Sequence, residues 1–423
     1  MLHAKFANLH TYQTKEAGSG SIVLHSLTPR PLTPGATDDT TMGLLNFVKS
    51  FGGSGSAVKS GIIADAARSE VSAHTLGESF PEDEKFFGLE NFGNTCYCNS
   101  VLQALYACEP FRRRLIEHRE ETTSMSSSGV GSKPPESLLG ALGDLFHEIS
   151  SQRKRTGYVA PKPFIDRLKM DNMLFRGHMH QDAHEFLNFL LNECCENLEK
   201  ELKENGRYEP QQKTWIHDVF EGKLANQTRC LWCENTTNRE ECFLDLSVDI
   251  EQNSSITACL NNFSAKELLG KEDKFQCDRC GGLHEAQKRM LIQSVPNVLC
   301  LHLKRFKYIE SIGRHAKLNH RVVFPAQLKI PNLVDDAVDP DAAYNLFAVV
   351  VHIGSGPNHG HYVCFAKRQK KWFLYDDDSV ELVDEEQLQH VFGSTQDSSS
   401  GSEHGYILFY SKISTSQDQS AAA

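Results

Sequence analysis

The sequence predicts an α+β architecture, with helices gathered in the first half of the chain and strands in the second. Three observations carry this. Apolar residues recur at helical spacing as far as Leu198, short apolar runs bounded by turn residues take over after about Trp215, and the two patterns do not alternate as βαβ units would. A chain of 423 residues has room for two or three units of ordinary size or one large multi-lobed one.

Residues 1–84 read as a mostly disordered leader, because Ser26–Gly35 and Gly52–Ser56 are rich in Ser, Thr, Gly and Pro and offer little to bury. Thr28 and Thr33 precede prolines and Met42–Val48 is a short apolar piece, but plain linker is the simpler reading. From Phe86 the character changes. Cys98, Val101, Leu102 and Leu105 predict a helix that starts near Cys96, after the glycine-bearing turn Gly88–Thr95. The polar stretch Glu120–Glu136 reads as a loop, and Leu138, Leu142, Leu145, Phe146 and Ile149 mark the next helix. A long helix follows from about Gln181, where Ala183, Phe186, Leu187, Leu190, Leu191, Cys194 and Leu198 share one face. Strands are then predicted over Val295–Phe306, Val322–Phe324, Tyr344–Ile353, Tyr362–Lys367, Trp372–Tyr375, Val380–Val383 and Gly405–Ser411.

Composition narrows the function. A net charge of −11 with 39% apolar and 23% charged residues argues against a nucleic-acid-binding surface. The longest apolar runs, Val298–Leu303 and Leu346–Ile353, fall far short of the roughly 20 residues of a membrane helix, and they contain His302 and His352. The N-terminal sequence lacks the basic, apolar and small-residue pattern of a secretory signal. Thirteen cysteines, an odd number that includes two C-x-x-C pairs, then point to metal or catalysis in a reducing compartment, cytosol or nucleus.

Two groups of residues carry chemistry. In Asn91–Ser100 a cysteine, Cys96, stands at the first turn of a predicted helix, where free N–H groups and the helix dipole favour a thiolate. Gly93 allows a turn tight enough to bring Asn91 back toward Cys96, where its amide can donate to an oxyanion. The base is expected at His361, which opens a strand after the loop Gly354–Gly360, whereas His359 lies within the loop. The glycines and Pro357 suit a loop that approaches a substrate backbone. Asp376, on what should be the neighbouring antiparallel strand, is placed to hold the imidazole tautomer. Only the fold can bring these two to Cys96.

The second group is Cys230-Leu-Trp-Cys233 with Cys277-Asp-Arg-Cys280. Each turn presents two sulfurs to one ion, so the four fit a closed structural zinc site, on an elongated ribbon with Phe243–Ile250 among its strands. A redox C-x-x-C would come once and in a βαβ setting. Cys98, Cys242, Cys259 and Cys300 read as core or surface positions.

Together these stretches resemble the ubiquitin-specific proteases, the papain-like deubiquitinating enzymes. The resemblance runs from about Lys85 to Lys412. It rests on Gly88–Ser100, Gln181-Asp-Ala-His-Glu-Phe186, His302-Leu-Lys-Arg-Phe306, Gly360-His-Tyr-Val363 and Gly405-Tyr-Ile-Leu-Phe-Tyr410. It implies a hand of helical thumb (85–210), zinc-bearing fingers with part of the palm (211–300) and β-rich palm (301–412), followed by a flexible tail (413–423). On that analogy Cys96 is the nucleophile, His361 the base, Asp376 its orienter and Asn91 an oxyanion donor, and the bond cleaved follows the C-terminal glycine of ubiquitin. Ubiquitin's tail is basic up to two final glycines, so Asp182 and Glu185 are candidates to receive it and Gly360 and Tyr362 to form the narrow end. A helix N-cap is an equal reading for Asp182. His302–Phe306 is expected to be a structural palm strand. Within the family, Phe175–Phe186, Leu244–Asn253 and Ser355–His361 look most like the subgroup activated by WD40-repeat proteins, which implies low intrinsic activity and WD40 partners docking on the fingers. Ser394–Ser402 reads as a mobile loop shielding the tail channel. The alternative is a ubiquitin-binding scaffold with little turnover.

Overall fold

Helices predominate early and strands later along the chain, although the short strands Phe86–Leu89 and Thr156–Val159 lie among the early helices. The computed structural model describes residues 84–125, 136–177, 179–206, 212–310, 313–357, 359–393 and 403–413, all within the unit Val58–Ala423. The expected leader up to residue 83, the Ser394–Ser402 loop and the tail beyond 413 lie outside the described residues.

Among the described residues of the first half, the α-helices are α1 (Cys96–Ala107), α2 (Glu109–Met125), α3 (Leu138–Ser150), α4 (Lys162–Asp171) and α5 (Ala183–Glu204). Helix α1 is buried from Cys96 through Tyr106, polar residues included. Those polar residues have partners: Asn99 donates to the Leu89 carbonyl at 3.1 Å and Gln103 to that of Phe87 at 2.8 Å. A helix enclosed on every side needs such internal pairing, since water is excluded. Ser137 caps α3 by accepting from the Gly140 N–H at 3.1 Å.

The expected loop Glu120–Glu136 is in part helix, because α2 continues to Met125. Among the described side chains of α2, Phe111 and Leu115 are the fully buried apolar anchors, so Glu117–Ser124 carries no apolar period and reads as loop. Hydroxyl groups of Thr122 and Thr123 bond back to the carbonyls of His118 and Arg119 there.

Among the described residues the largest sheet has eight strands. In spatial order these are Ser379–Val383, Lys371–Asp376, His359–Arg368, Ala343–Gly356, Glu403–Lys412, Val298–Leu303 and Leu246–Val248, with Gln327–Lys329 beside Ala343–Gly356. Alternate residues serve two cores. Ala348, Val350, Tyr362, Cys364 and Ala366 pack with the helices, while Val349, Val351, Val363 and Phe365 face a second core beneath the sheet. Burial on both faces is why these strands read as unbroken apolar runs.

A separate antiparallel sheet of Thr236–Phe243, Gly222–Cys230, Ala286–Ser294 and Glu267–Leu269 forms a ribbon with Cys230 and Cys233 at its end, and the small hairpin of Phe275–Cys277 and Gly282–His284 carries Cys277 and Cys280. Phe243–Ile250 was expected within that ribbon. Instead Phe243 ends a ribbon strand while Leu246–Val248 joins the large sheet, parallel to Val298–Leu303. Leu246 and Val248 belong to the core beneath that sheet, and this burial decides where the segment goes.

Candidate active site and metal centre

Helix α1 begins at Cys96, as its periodicity predicts, and the approach to it is a sharp turn with left-handed Gly93 (φ 81°) and Asn94 (φ 57°). This turn returns the chain so that Asn91 Oδ1 accepts from the Thr95 backbone N–H at 3.1 Å. Cys96 is 2% exposed.

The strands His359–Arg368 and Lys371–Asp376 are antiparallel neighbours, with Cys364 opposite Tyr375. That register brings Asp376 to His361, whose Nε2 lies 2.5 Å from Asp376 Oδ1. Cys96 also acts on this ring, raising the affinity of the imidazole for its proton, so one ring is coupled to both the helix start and the sheet. Burial by itself would lower the pKa of His361, but the hydrogen bonds to Asp376 and Cys96, with the charges on both, outweigh it and raise the group to about 10. An imidazole held protonated beside a sulfur is the electrostatic partner a thiolate requires. Cys96, His361 and Asp376, far apart in sequence, are thus brought together as one coupled group, with the His361–Asp376 hydrogen bond at its centre.

His359 also belongs to the strand, paired with Gly356, but its ring is exposed and engages Ser355 Oγ at 2.9 Å. The loop glycines are required by the hairpin itself. A Cβ on Gly360 (φ 147°) would lie 2.4 Å from the Ile353 carbonyl oxygen, and one on Gly354 (φ 136°) would lie 2.8 Å from Gly360 Cα. Their close approach is to each other across the neck of the hairpin.

Asn91 is tied down by a residue the sequence reading passed over. Asp377, left-handed at φ 49°, accepts from Asn91 Nδ2 and from Asn99 Nδ2, each at 2.8 Å. Burial raises the Asp377 pKa, while the hydrogen bonds from Asn91 and Asn99 pull it back down. A primary amide has two N–H groups, so Asp377 fixes Asn91 and leaves one donor free. Nothing in the local pattern distinguishes Asp377 from its neighbours, because its task is set by the turn geometry after Asp376.

Asp182 is the N-cap of α5. Its Oδ1 accepts from the His184 N–H at 2.7 Å, and its Oδ2 accepts from the Tyr406 hydroxyl at 2.6 Å. Both carboxylate oxygens are therefore engaged. Glu185 is exposed, with a pKa raised by partial burial and by Asp182. Tyr362 is 1% exposed, and the His180 ring stacks on it with centroids 5.2 Å apart and planes 7° apart. His180, also unanticipated, thus covers Tyr362. His302–Phe306 is structural: His302 stacks on His184 at 3.6 Å, and fully buried Arg305 donates to the carbonyls of Gly405 and His320.

On the ribbon, one sulfur from each of Cys230, Cys233, Cys277 and Cys280 lies within 4.8 Å of the others. A tetrahedral ion with bonds of about 2.3 Å places sulfurs about 3.8 Å apart, and Cys233 Sγ lies 3.7 Å from Cys277 Sγ. The Asn235 backbone N–H and then the neighbouring sulfurs lower the Cys233 thiol to about 7, whereas sharing with Cys233 pushes Cys280 up to about 12. Four crowded sulfurs give up the first proton readily and the last with difficulty, a conflict a cation would remove. The donor set fits a metal.

A buried cysteine backed by an imidazole–carboxylate pair, in an α+β fold with a separate four-sulfur cluster, defines a thiol hydrolase. Comparison with known proteins specifies which. The profile of the family described as ubiquitin carboxyl-terminal hydrolase matches residues 87–410. Ubiquitin carboxyl-terminal hydrolase 4 of Arabidopsis thaliana is 54% identical over 363 residues, covering 80% of this chain and 97% of its own. Ubiquitin carboxyl-terminal hydrolase 12 of Salmo salar is 47% identical over 366 residues, covering 83% and 95%. Among solved structures, the SAGA Ubp8/Sgf11/Sus1/Sgf73 DUB module bound to ubiquitin aldehyde aligns with a TM-score of 0.63 and 26% identity, over 84% of this chain and 76% of that one. The same module bound to monoubiquitin gives 0.63 and 27%. The chain belongs to the ubiquitin carboxyl-terminal hydrolase family and is a ubiquitin-specific cysteine protease.

Proposed function

We propose that the protein hydrolyses the bond after the C-terminal glycine of ubiquitin on conjugated proteins, with Cys96 as nucleophile, His361 as proton carrier, Asp376 as its orienter and Asn91 as oxyanion donor. The observation that carries this is the His361–Asp376 hydrogen bond on an imidazole that Cys96 also holds protonated. The sulfur attacks the glycine carbonyl carbon, and the carbonyl oxygen takes up negative charge within reach of the free Asn91 N–H. Collapse breaks the C–N bond, and the His361 imidazolium gives its proton to the departing amine. Water then attacks the thioester as His361 takes a proton from it, releasing the ubiquitin carboxylate and restoring the thiolate–imidazolium pair.

Cys230, Cys233, Cys277 and Cys280 would hold a zinc ion. Such an ion supplies a cross-link between the two turns and, with four thiolates around it, has no position open for water. For the tail of ubiquitin, Glu185 offers an open carboxylate and Gly360 lies exposed at the mouth of the site, while Asp182 and Tyr362 act from behind, through α5 and His180. Activation by WD40-repeat proteins docking on the fingers is supported by the apolar surface around the cysteine turns. Trp232 there is 75% exposed and Leu283 61% exposed. The Ubp8 module, a structural relative, is likewise an assembly with partner subunits. Placement in cytosol or nucleus is supported by thirteen free cysteines. Among the described residues no helix is long and apolar enough to cross a membrane.

The test is Cys96→Ala. It should abolish turnover of a fluorogenic ubiquitin C-terminal reporter, a loss of at least about 10⁴-fold, while ubiquitin still binds. Turnover at the parent rate would refute the assignment. Turnover of the parent with and without WD40-repeat proteins tests the activation.

A further inference from the structure

One lysine behind the active site is buried and takes no part in the chemistry above. Lys317 ends the strand Arg314–Lys317, which pairs with Phe306–Ile309, and it is 7% exposed. Its Nζ donates to the carbonyl of His352 at 2.9 Å and to that of Gly354 at 2.8 Å. The residue between these two acceptors, Ile353, is the register partner of His361, and beyond it the pairing becomes irregular. Lys317 therefore grips the chain on both sides of the last regular pair before the loop, where Gly354 and Gly360 close on each other. The grip comes from a different hairpin.

Resting on the assignment of His361 made above, we propose that Lys317 is a positioning residue for that imidazole: from the Phe306–Lys317 hairpin its amino group fixes the neck of the loop that presents His361 to Cys96. An amino group this deep is unfavourable unless its N–H groups are used, and here two backbone carbonyls use them. Burial, with Arg305 nearby, lowers the Lys317 pKa to about 6. The clamp does not depend on the charge, because the neutral amine retains the two N–H groups required. The strand Glu403–Lys412 flanks the neck through the pairs His352–His404 and Ile353–Glu403, while Gly354 and Gly360 bring no side chains of their own and a Cβ on Gly360 would run into the His352 ring. Removing the amino group takes a donor from one buried and one partly buried carbonyl at the point that sets the direction of His361.

The test uses the full chain with Lys317→Met and, as the conservative variant, Lys317→Arg. Three quantities are read: kcat on a ubiquitin C-terminal reporter, the rate at which chloroacetamide alkylates Cys96 across pH, followed on the Cys96 peptide by mass spectrometry, and ubiquitin affinity in a Cys96→Ala background. Lys317→Met should lower kcat and the neutral-pH alkylation rate about 10²-fold, the scale expected for a misplaced catalytic group. Affinity should be unchanged, and Lys317→Arg should restore most of both rates. A Lys317→Met protein with parent-like kcat and alkylation, differing only in melting temperature, overturns the proposal. So does one that loses ubiquitin affinity while alkylation is unaltered. If Lys317→Met does not fold, Lys317→Gln is judged by the same outcomes. A parent that fails to turn over the reporter even with WD40-repeat proteins added would refute the proposed function, yet the alkylation arm, which needs no ubiquitin, would still decide whether Lys317 positions His361.

Discussion

The two sulfur centres of this chain are assembled on opposite plans. In the ribbon, four cysteines arrive from two short turns, each already carrying a pair, and the strands Gly222–Cys230 and Ala286–Ser294 need only bring turn to turn. At the active site a single cysteine from the start of α1 meets a histidine and an aspartate supplied by adjacent strands of another layer. Local spacing fixes the first set, so its loss should be felt as folding. Sheet register fixes the second, so its loss should be felt as chemistry.

The sharpest way to break this contrast is to remove a ribbon cysteine. Structural zinc contributes about 10–16 kcal/mol of binding free energy that is also folding free energy. Cys277→Ser should therefore abolish zinc in elemental analysis and expose the amides of Gly222–Cys230 and Ala286–Ser294 to hydrogen exchange. A parent protein, folded and metal-free, would contradict the plan.

Asp376→Asn is the reciprocal case. It should lower kcat/KM by about 10⁴-fold with little change in melting temperature. It also has a pH signature. Asp376 helps raise His361 to about 10, so its removal should move the alkaline limb of kcat/KM, which needs the imidazolium as proton donor, to lower pH. The same raised group contributes stability that is complete below the ordinary histidine range and is lost as pH rises through about 10, and the variant should lack that dependence. An unmoved alkaline limb would show that Asp376 does not govern the imidazole.

The contrast also explains what could be read from the sequence. The helix starting at Cys96, the C-x-x-C pairs and the run of late strands are local or periodic features, and a linear reading reaches them. The order of strands in the sheet is not local, and Phe243–Ile250 was misplaced because burial against a distant core, rather than its own pattern, takes Leu246 and Val248 away from the ribbon. Asp377 and His180 stayed hidden for a related reason. One acts through a turn that returns to Asn91 and Asn99, the other by stacking on Tyr362, and neither contact has a spacing signature. Glu120–Met125 was missed because a solvent-facing helix end has no apolar face to show.

Asp377 offers an intermediate test. If it serves to hold the Asn91 amide, Asp377→Ala and Asn91→Ala should each cost about 10²–10³ in kcat, the range for one oxyanion donor. The double variant should cost no more than the larger single loss, since the two act as one unit. Additive losses would separate Asp377 from Asn91.

The smallest expected effect separates two carboxylates that the sequence places three positions apart. Asp182 spends one oxygen on the N–H groups that open α5 and the other on the Tyr406 hydroxyl, so Asp182→Ala should appear as lost stability, about 0.5–2 kcal/mol for the cap. Glu185 is exposed, so Glu185→Gln should leave stability alone and raise KM for ubiquitin substrates by at most about fivefold, the upper range for one exposed ion pair. That increase should vanish at high salt, which screens exposed charges. It should also fade with acidification sooner than for an ordinary glutamate, because partial burial and the neighbouring Asp182 raise the Glu185 pKa and it is neutralised earlier as pH falls. A KM effect from Asp182→Ala without loss of stability, together with none from Glu185→Gln, would reverse the assignment and make the cap the receptor for the basic tail.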